Sequence, residues 1–113
     1  MPWLVAFHEA LIPEVEVLPR AVQKALAGHI QKLREFGPGL GRPSVDTLKG
    51  SRIANLKEIW FSANDGVWRV AFAFDHTRIA VLLVMDDKRG KAESRFYRNL
   101  IATAEARWKT WGE

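Results

Sequence analysis

A chain of 113 residues has the length of one ordinary domain, and 48% hydrophobic with 27% charged residues is a globular composition, not that of a disordered tail. Zero cysteines exclude a disulfide framework, a thiolate metal site and a cysteine nucleophile. The formal charge of +4 is unevenly divided: residues 1–19 carry −3 and the remainder +7, a balance that favours an anionic partner, nucleic acid first, for the body of the chain.

In chain order, the apolar run WLVAF at residues 3–7 predicts a short buried strand. Residues 8–18 are acidic and mixed, a short helix interrupted by Pro13 at most. Pro19 suits the first position of a second helix, where its missing N–H costs nothing, and Val22, Leu26, Ile30 and Leu33 then recur at helical spacing until Gly37-Pro38-Gly39 stops them. Residues 37–52 read as a loop, with residues 45–50 able to pair briefly as an edge strand.

Three strand signals follow. NLKEIWFS at 55–62 alternates, with Leu56, Glu58 and Trp60 on one side and Lys57, Ile59 and Phe61 on the other. Asn64-Asp65-Gly66 is a hairpin turn in which Asp-Gly supplies positive φ. VWRVAFAF at 67–74 is the second strand and RIAVLLVM at 78–85 the third, whose continuous apolar run fits a strand covered on both faces. A closing helix over 92–108 carries Phe96, Leu100, Ala104 and Trp108 on one stripe. The order predicts an α+β fold: a small, mostly antiparallel sheet with one or two N-terminal helices and a C-terminal helix packed on it. One domain over residues 1–113 is expected, without repeat or linker.

No Lys or Arg precedes Arg20, so the N-terminus lacks the basic segment of a secretory signal, and the longest apolar run, residues 79–85, is far short of the ~20 residues of a membrane span. A cytoplasmic protein with no membrane contact is expected. Several chemistries lack support. His8, His29 and His76 fall in different elements without metal-ligand spacing, His29 reading as a packed histidine and His76 as a solvated turn residue. No serine sits in a nucleophile elbow, and the glycines at 37, 39 and 41 lack the ending of a phosphate-binding loop. Asp86 and Asp87 point to opposite faces of a strand and cannot jointly hold magnesium.

What remains is a set of cations and one tyrosine. Lys57 and Arg69 lie on the first two meander strands; Lys49 and Arg52 precede them; Lys88, Arg89 and Lys91 follow the third; Arg95, Tyr97 and Arg98 open the last helix. Cations at a helix N-terminus oppose the helix dipole, so their clustering there suggests phosphates. The structural reading of Arg69 is a cross-hairpin pair with Glu58.

The pieces LGRP…TLKGSR…NLKEI, GVWRVAFAFD, AVLLV…DK and RFYRNLI resemble, in order and spacing, the phage-derived, HigB-like branch of the RelE/ParE toxin superfamily. That resemblance implies helices on a small antiparallel sheet. It also implies the toxin of a type II toxin–antitoxin system: a ribosome-dependent mRNA endonuclease, metal-independent and without cofactor. The implied partners are a helix-turn-helix, HigA-like antitoxin, the ribosome and mRNA, with promoter DNA bound only through the antitoxin complex. The matching catalytic positions are Lys57, Arg69, Lys88 and Tyr97; RNA-binding positions are Lys49, Arg52, Arg89, Lys91, Arg95, Arg98 and Trp60. Where many relatives carry Arg, this chain has Trp60, which is expected to pack under the last helix, with stacking on an RNA base as the alternative. Tyr97 is open to base stacking or proton transfer. Two further readings stand beside the nuclease: a ParE-like inhibitor of DNA gyrase, against which Arg69 and Tyr97 weigh, and a weak or non-catalytic RNA-binding toxin homologue, which Trp60 keeps open.

Overall fold

The computed structural model describes residues 2–41 and 44–112. Arg42 and Pro43 of the LGRP motif lie outside the described residues. Strand β1 (Leu4–Phe7) leads into helix α1 (Leu11–Glu16) and the long helix α2 (Arg20–Phe36). A single 3₁₀ turn, Gly37–Gly39, separates α2 from strand β2 (Val45–Thr47). The meander is β3 (Lys57–Ala63), β4 (Gly66–Phe74) and β5 (Ile79–Asp87), and α3 (Glu93–Thr110) closes the chain. Pro13 is the third residue of α1, within the first turn, where no intrahelical N–H bond is lost, so it does not interrupt the helix. Pro19 stands just ahead of α2. Gly37 (φ +54) ends that helix where any Cβ would run into the Trp3 indole.

The sheet order is β1-β5-β4-β3-β2. All neighbouring pairs are antiparallel except β1–β5, which is parallel. The β3–β4 turn differs in detail from its expectation. Asn64 (φ 50) and Asp65 (φ 64) both take the left-handed conformation, and Ala63 pairs directly with Gly66. The positive φ angles therefore belong to Asn-Asp, a two-residue turn whose twist matches the strands. Gly66 serves differently: a Cβ there would lie 2.6 Å from Trp68 Nε1, whose indole folds over the turn and donates to the Ala63 carbonyl.

Helices α1 and α2 cover one face of the sheet. Leu11, Val15, Val22, Leu26 and Leu33 pack there on Ile59, Phe61, Val70, Phe72 and Leu82. Helix α3 covers the other, laying Phe96, Leu100 and Ala104 on Leu56, Ala71, Ala73, Val81 and Leu83. β5 is buried on both faces from Ala80 to Met85, as its continuous apolar run predicts. A β-bulge at Ala71/Phe72, which pair with Val84 and Leu82, leaves Leu83 as the extra residue. It turns Leu83 and Val84 toward α3, so that Asp86 emerges beside Arg69 on the α3 face.

Arg107 fastens the far end of α3. Its guanidinium donates to the Leu83 carbonyl (2.8 Å), just past the point where β1 stops pairing, and to both carboxylate oxygens of Glu14 (2.9 and 2.6 Å). No helix among the described residues is long and apolar enough to cross a membrane.

Candidate functional site

The hydrophobic residues of α3 meet the sheet only from Phe96 onward, so the turn end of the β3–β4 hairpin is left open on that face. Strand alternation brings Glu58 and Trp60 of β3 to it, and register places Trp60 opposite Arg69 and Arg69 opposite Asp86. Tyr97, one residue after the buried Phe96, extends from α3 over the same spot. Its hydroxyl donates to Glu58 Oε1 (2.8 Å) and accepts from Arg69 Nε (3.0 Å). Arg69 Nε lies 3.4 Å from Glu58 Oε1, the cross-hairpin pair read from the sequence, and Nη1 donates to the Trp68 carbonyl. Arg69 Nη2 and Glu58 Oε2 make no hydrogen bond among the described residues.

Glu58 is 8% exposed. Burial pushes its carboxyl above the ordinary glutamate range, against the pull of the Tyr97 hydrogen bond and the Arg69 charge. Burial also raises Tyr97, with Glu58 adding to the shift and Arg69 opposing it. The raised value favours the protonated phenol, in keeping with the hydrogen bond it donates to Glu58. Glu58 is the residue that sequence reasoning assigned no chemistry beyond its pairing with Arg69. Its signal was present: a carboxylate between Leu56 and Trp60 on one strand face is marked for burial.

The remaining cations are unequally placed. Lys88 Nζ pairs with Glu93 (2.8 Å), and its charge also acts on Glu58. Lys91 pairs with Asp86 (3.1 Å), and Arg89 donates to the Asp65 carbonyl at the hairpin tip (2.6 Å). Arg52 is anchored by its backbone N–H on Glu105 (2.6 Å) and its side chain is exposed. Lys49, Arg95 and Arg98 are exposed and have no ion pair among the described residues. Two cavities flank the start of α3. One of about 670 Å³ is lined by Asp46, Lys49, Glu58, Glu93 and Tyr97, and one of about 360 Å³ by Asp86, Lys91, Arg95 and Asn99.

Two expectations need correction. Lys57 does not join the others: its register partner is Phe72, in the α2-side core, so its side chain leaves the opposite face of the sheet from Tyr97. The alternation that brings in Glu58 is what removes Lys57. Trp60 does not pack under α3; it is 41% exposed, with the Arg69 guanidinium 5.8 Å from its ring centroid. Among the histidines, His29 stacks on Phe61, and His76 is exposed in its turn. Among the described residues, no group of three or more His, Asp or Glu side chains converges as a metal site.

Comparison with known proteins supplies the context. Residues 13–109 match the family described as Phage derived protein Gp49-like. A Mycobacterium tuberculosis protein named as toxin HigB3 is 39% identical over 105 residues, covering 89% of this chain and 90% of that protein. Another, named as toxin HigB2, is 40% identical over 75 residues, covering 66% of this chain and 37% of the longer relative. Two solved structures share the fold. The archaeal RelE–RelB complex from Pyrococcus horikoshii superposes with TM-score 0.60 at 22% identity, covering 81% of this chain and all of that one. A doubly arginine-substituted E. coli toxin RelE in the free state gives 0.59 at 16% identity, covering 90% and 96%.

Proposed function

The chain belongs to the phage-derived Gp49-like family, with HigB- and RelE-like toxins as its relatives, and from that premise we propose that it is the toxin of a type II toxin–antitoxin module, a metal-independent endoribonuclease that cuts mRNA on the ribosome. The observation that carries this reading is the contact of Arg69, Tyr97 and Glu58 at the open end of the sheet.

RNA brings its own nucleophile, the 2′-OH, so a protein site has three tasks. It must remove the hydroxyl proton, neutralise charge growing on the phosphate and protonate the departing 5′-oxygen. Glu58, whose second oxygen Oε2 makes no hydrogen bond among the described residues, takes the 2′-OH proton on that oxygen. The 2′-oxygen bonds to phosphorus, the P–O5′ bond breaks, and the products are a 2′,3′-cyclic phosphate and a 5′-OH. Arg69 meets the non-bridging oxygens with Nη2, in the planar geometry that suits phosphate. Lys88, released from Glu93, donates the proton to O5′. Tyr97 holds Glu58 and Arg69 in mutual register without itself transferring a proton. Lys49, Lys91, Arg95 and Arg98 receive flanking phosphates.

Such a site is partly self-neutralised, since Glu58, Asp86 and Glu93 each engage one of its cations. A substrate already extended and aligned, as the ribosome presents mRNA, compensates for that. The partner that keeps the toxin inactive is a cognate helix-turn-helix antitoxin, and the site of action is the cytoplasm. Induced expression followed by primer extension on a reporter mRNA, with translation running and then blocked, tests the reading. Growth arrest with cuts confined to translated regions is expected. Growth arrest with intact mRNA would overturn the nuclease and move the target to gyrase.

A further inference from the structure

We propose that Trp60 is a stacking platform for an unpaired nucleobase next to the scissile phosphate, so that the site takes single-stranded RNA with one base swung out of its stack. This deepens the nuclease reading and rests on it.

Three observations converge on the indole. The first is its exposure: Leu56 and Glu58, which precede it on the same face, are buried, whereas Trp60 keeps 41% of its surface. The hydrophobic stripe of α3 begins at Phe96, and Trp60 is not among the residues it buries. The second is register. Trp60 sits directly across the β3–β4 ladder from Arg69, on the same face, at the separation of facing cross-strand side chains, roughly 5 Å between Cβ atoms. A phosphate held on Arg69 places its own nucleoside or its neighbour's within reach of the ring. The third is electronic: the Arg69 guanidinium already lies over the indole, 5.8 Å from ring centroid to Cζ. An arginine beside an aromatic platform is the pairing used for bases, because it engages phosphate and π-face together. Stacking is tolerant of base identity, so the platform positions the chain without fixing a sequence.

The test uses an RNA tetranucleotide with a 2′-deoxy sugar at the cleaved position, which binds without being cut. Binding should quench tryptophan fluorescence in the wild type, and Trp60→Phe should remove that quench while the other four tryptophans remain. Trp60→Ala should weaken binding about tenfold, and Trp60→Phe should recover most of the loss. The decisive measurement is coupling. An abasic nucleotide beside the scissile position should weaken wild-type binding by a similar factor and leave Trp60→Ala binding unchanged. Additive effects of the abasic site and Trp60→Ala overturn the platform, as does wild-type fluorescence that the oligonucleotide leaves unchanged. If that wild type still cuts a translated reporter, the nuclease survives without the platform; if it cuts nothing, both readings fall.

Discussion

At the scale of single residues, the site depends on one buried carboxylate and what surrounds it. Glu58→Gln keeps the acceptor for Tyr97 but cannot take a proton, so cleavage should fall about 10²–10⁴-fold, the usual range for a lost general base. Its effect on stability should have the opposite sign. The folded state raises the Glu58 pKa, so in the window between the unfolded and folded values it binds more protons than the unfolded chain. Stability attributable to Glu58 is therefore greatest below the ordinary carboxylate value and declines as pH rises through the raised one. Thermal melts in paired buffers should show Glu58→Gln gaining on wild type as pH rises through that window; a constant difference would refute the buried, raised carboxylate. Tyr97→Phe separates position from chemistry. The Tyr97 hydrogen bond holds Glu58 down, so its loss should move the acid limb of the cleavage profile to higher pH, with much activity recovered on the alkaline side. An unmoved limb with uniformly lost activity would instead make the phenol a direct participant.

At the scale of elements, the contact of Tyr97 with Arg69 and Glu58 exists only because α3 packs on the sheet. Phe96, Leu100 and Ala104 make that packing, while Arg107 ties the far end to the Leu83 carbonyl and to Glu14. Arg107→Ala leaves that carbonyl without its donor and the carboxylate without its partner. A loss of about 2 kcal/mol is expected, lowering Tm by roughly 10 °C. A melt within a degree or two of wild type would reduce the strut to surface decoration. The β5 bulge acts at the same scale: without the extra Leu83, Asp86 would leave the α3 face and Lys91 would lose its partner.

For the whole molecule, charge is the governing quantity. A body of +7 against an N-terminal segment of −3 gives the chain a polarity that composition alone conceals. Because several site cations are already paired internally, Arg95 and Arg98, which are exposed and have no ion pair among the described residues, should carry much of the attraction to flanking phosphates. Replacing both with Ala should leave folding intact and flatten the salt dependence of single-stranded RNA binding. The slope of log K against log salt should fall by about 0.7 for each phosphate that is no longer neutralised. An unchanged slope would place the RNA elsewhere.

Hydrophobic periodicity and turn chemistry are local properties, and from them the sequence determined the element order, the amphipathic stripe of α3 and the two-sided burial of β5. That the elements carrying Arg69, Lys88 and Tyr97 could converge was legible in the sequence. The alternation on β3 already separated Lys57 from Glu58 and Trp60, although the positive charge of Lys57 drew it into the candidate set. What the sequence could not carry was anything set by contacts between distant segments. The parallel docking of β1 on β5, the bulge that turns Asp86 to the site and the reach of α3 each depend on long-range packing. The free energy of a buried Glu58 likewise depends on which surfaces close over it. Trp60 marks the division most sharply. Its residue type predicts burial, and only the tertiary structure, by ending the α3 contact at Phe96, leaves it exposed beside Arg69.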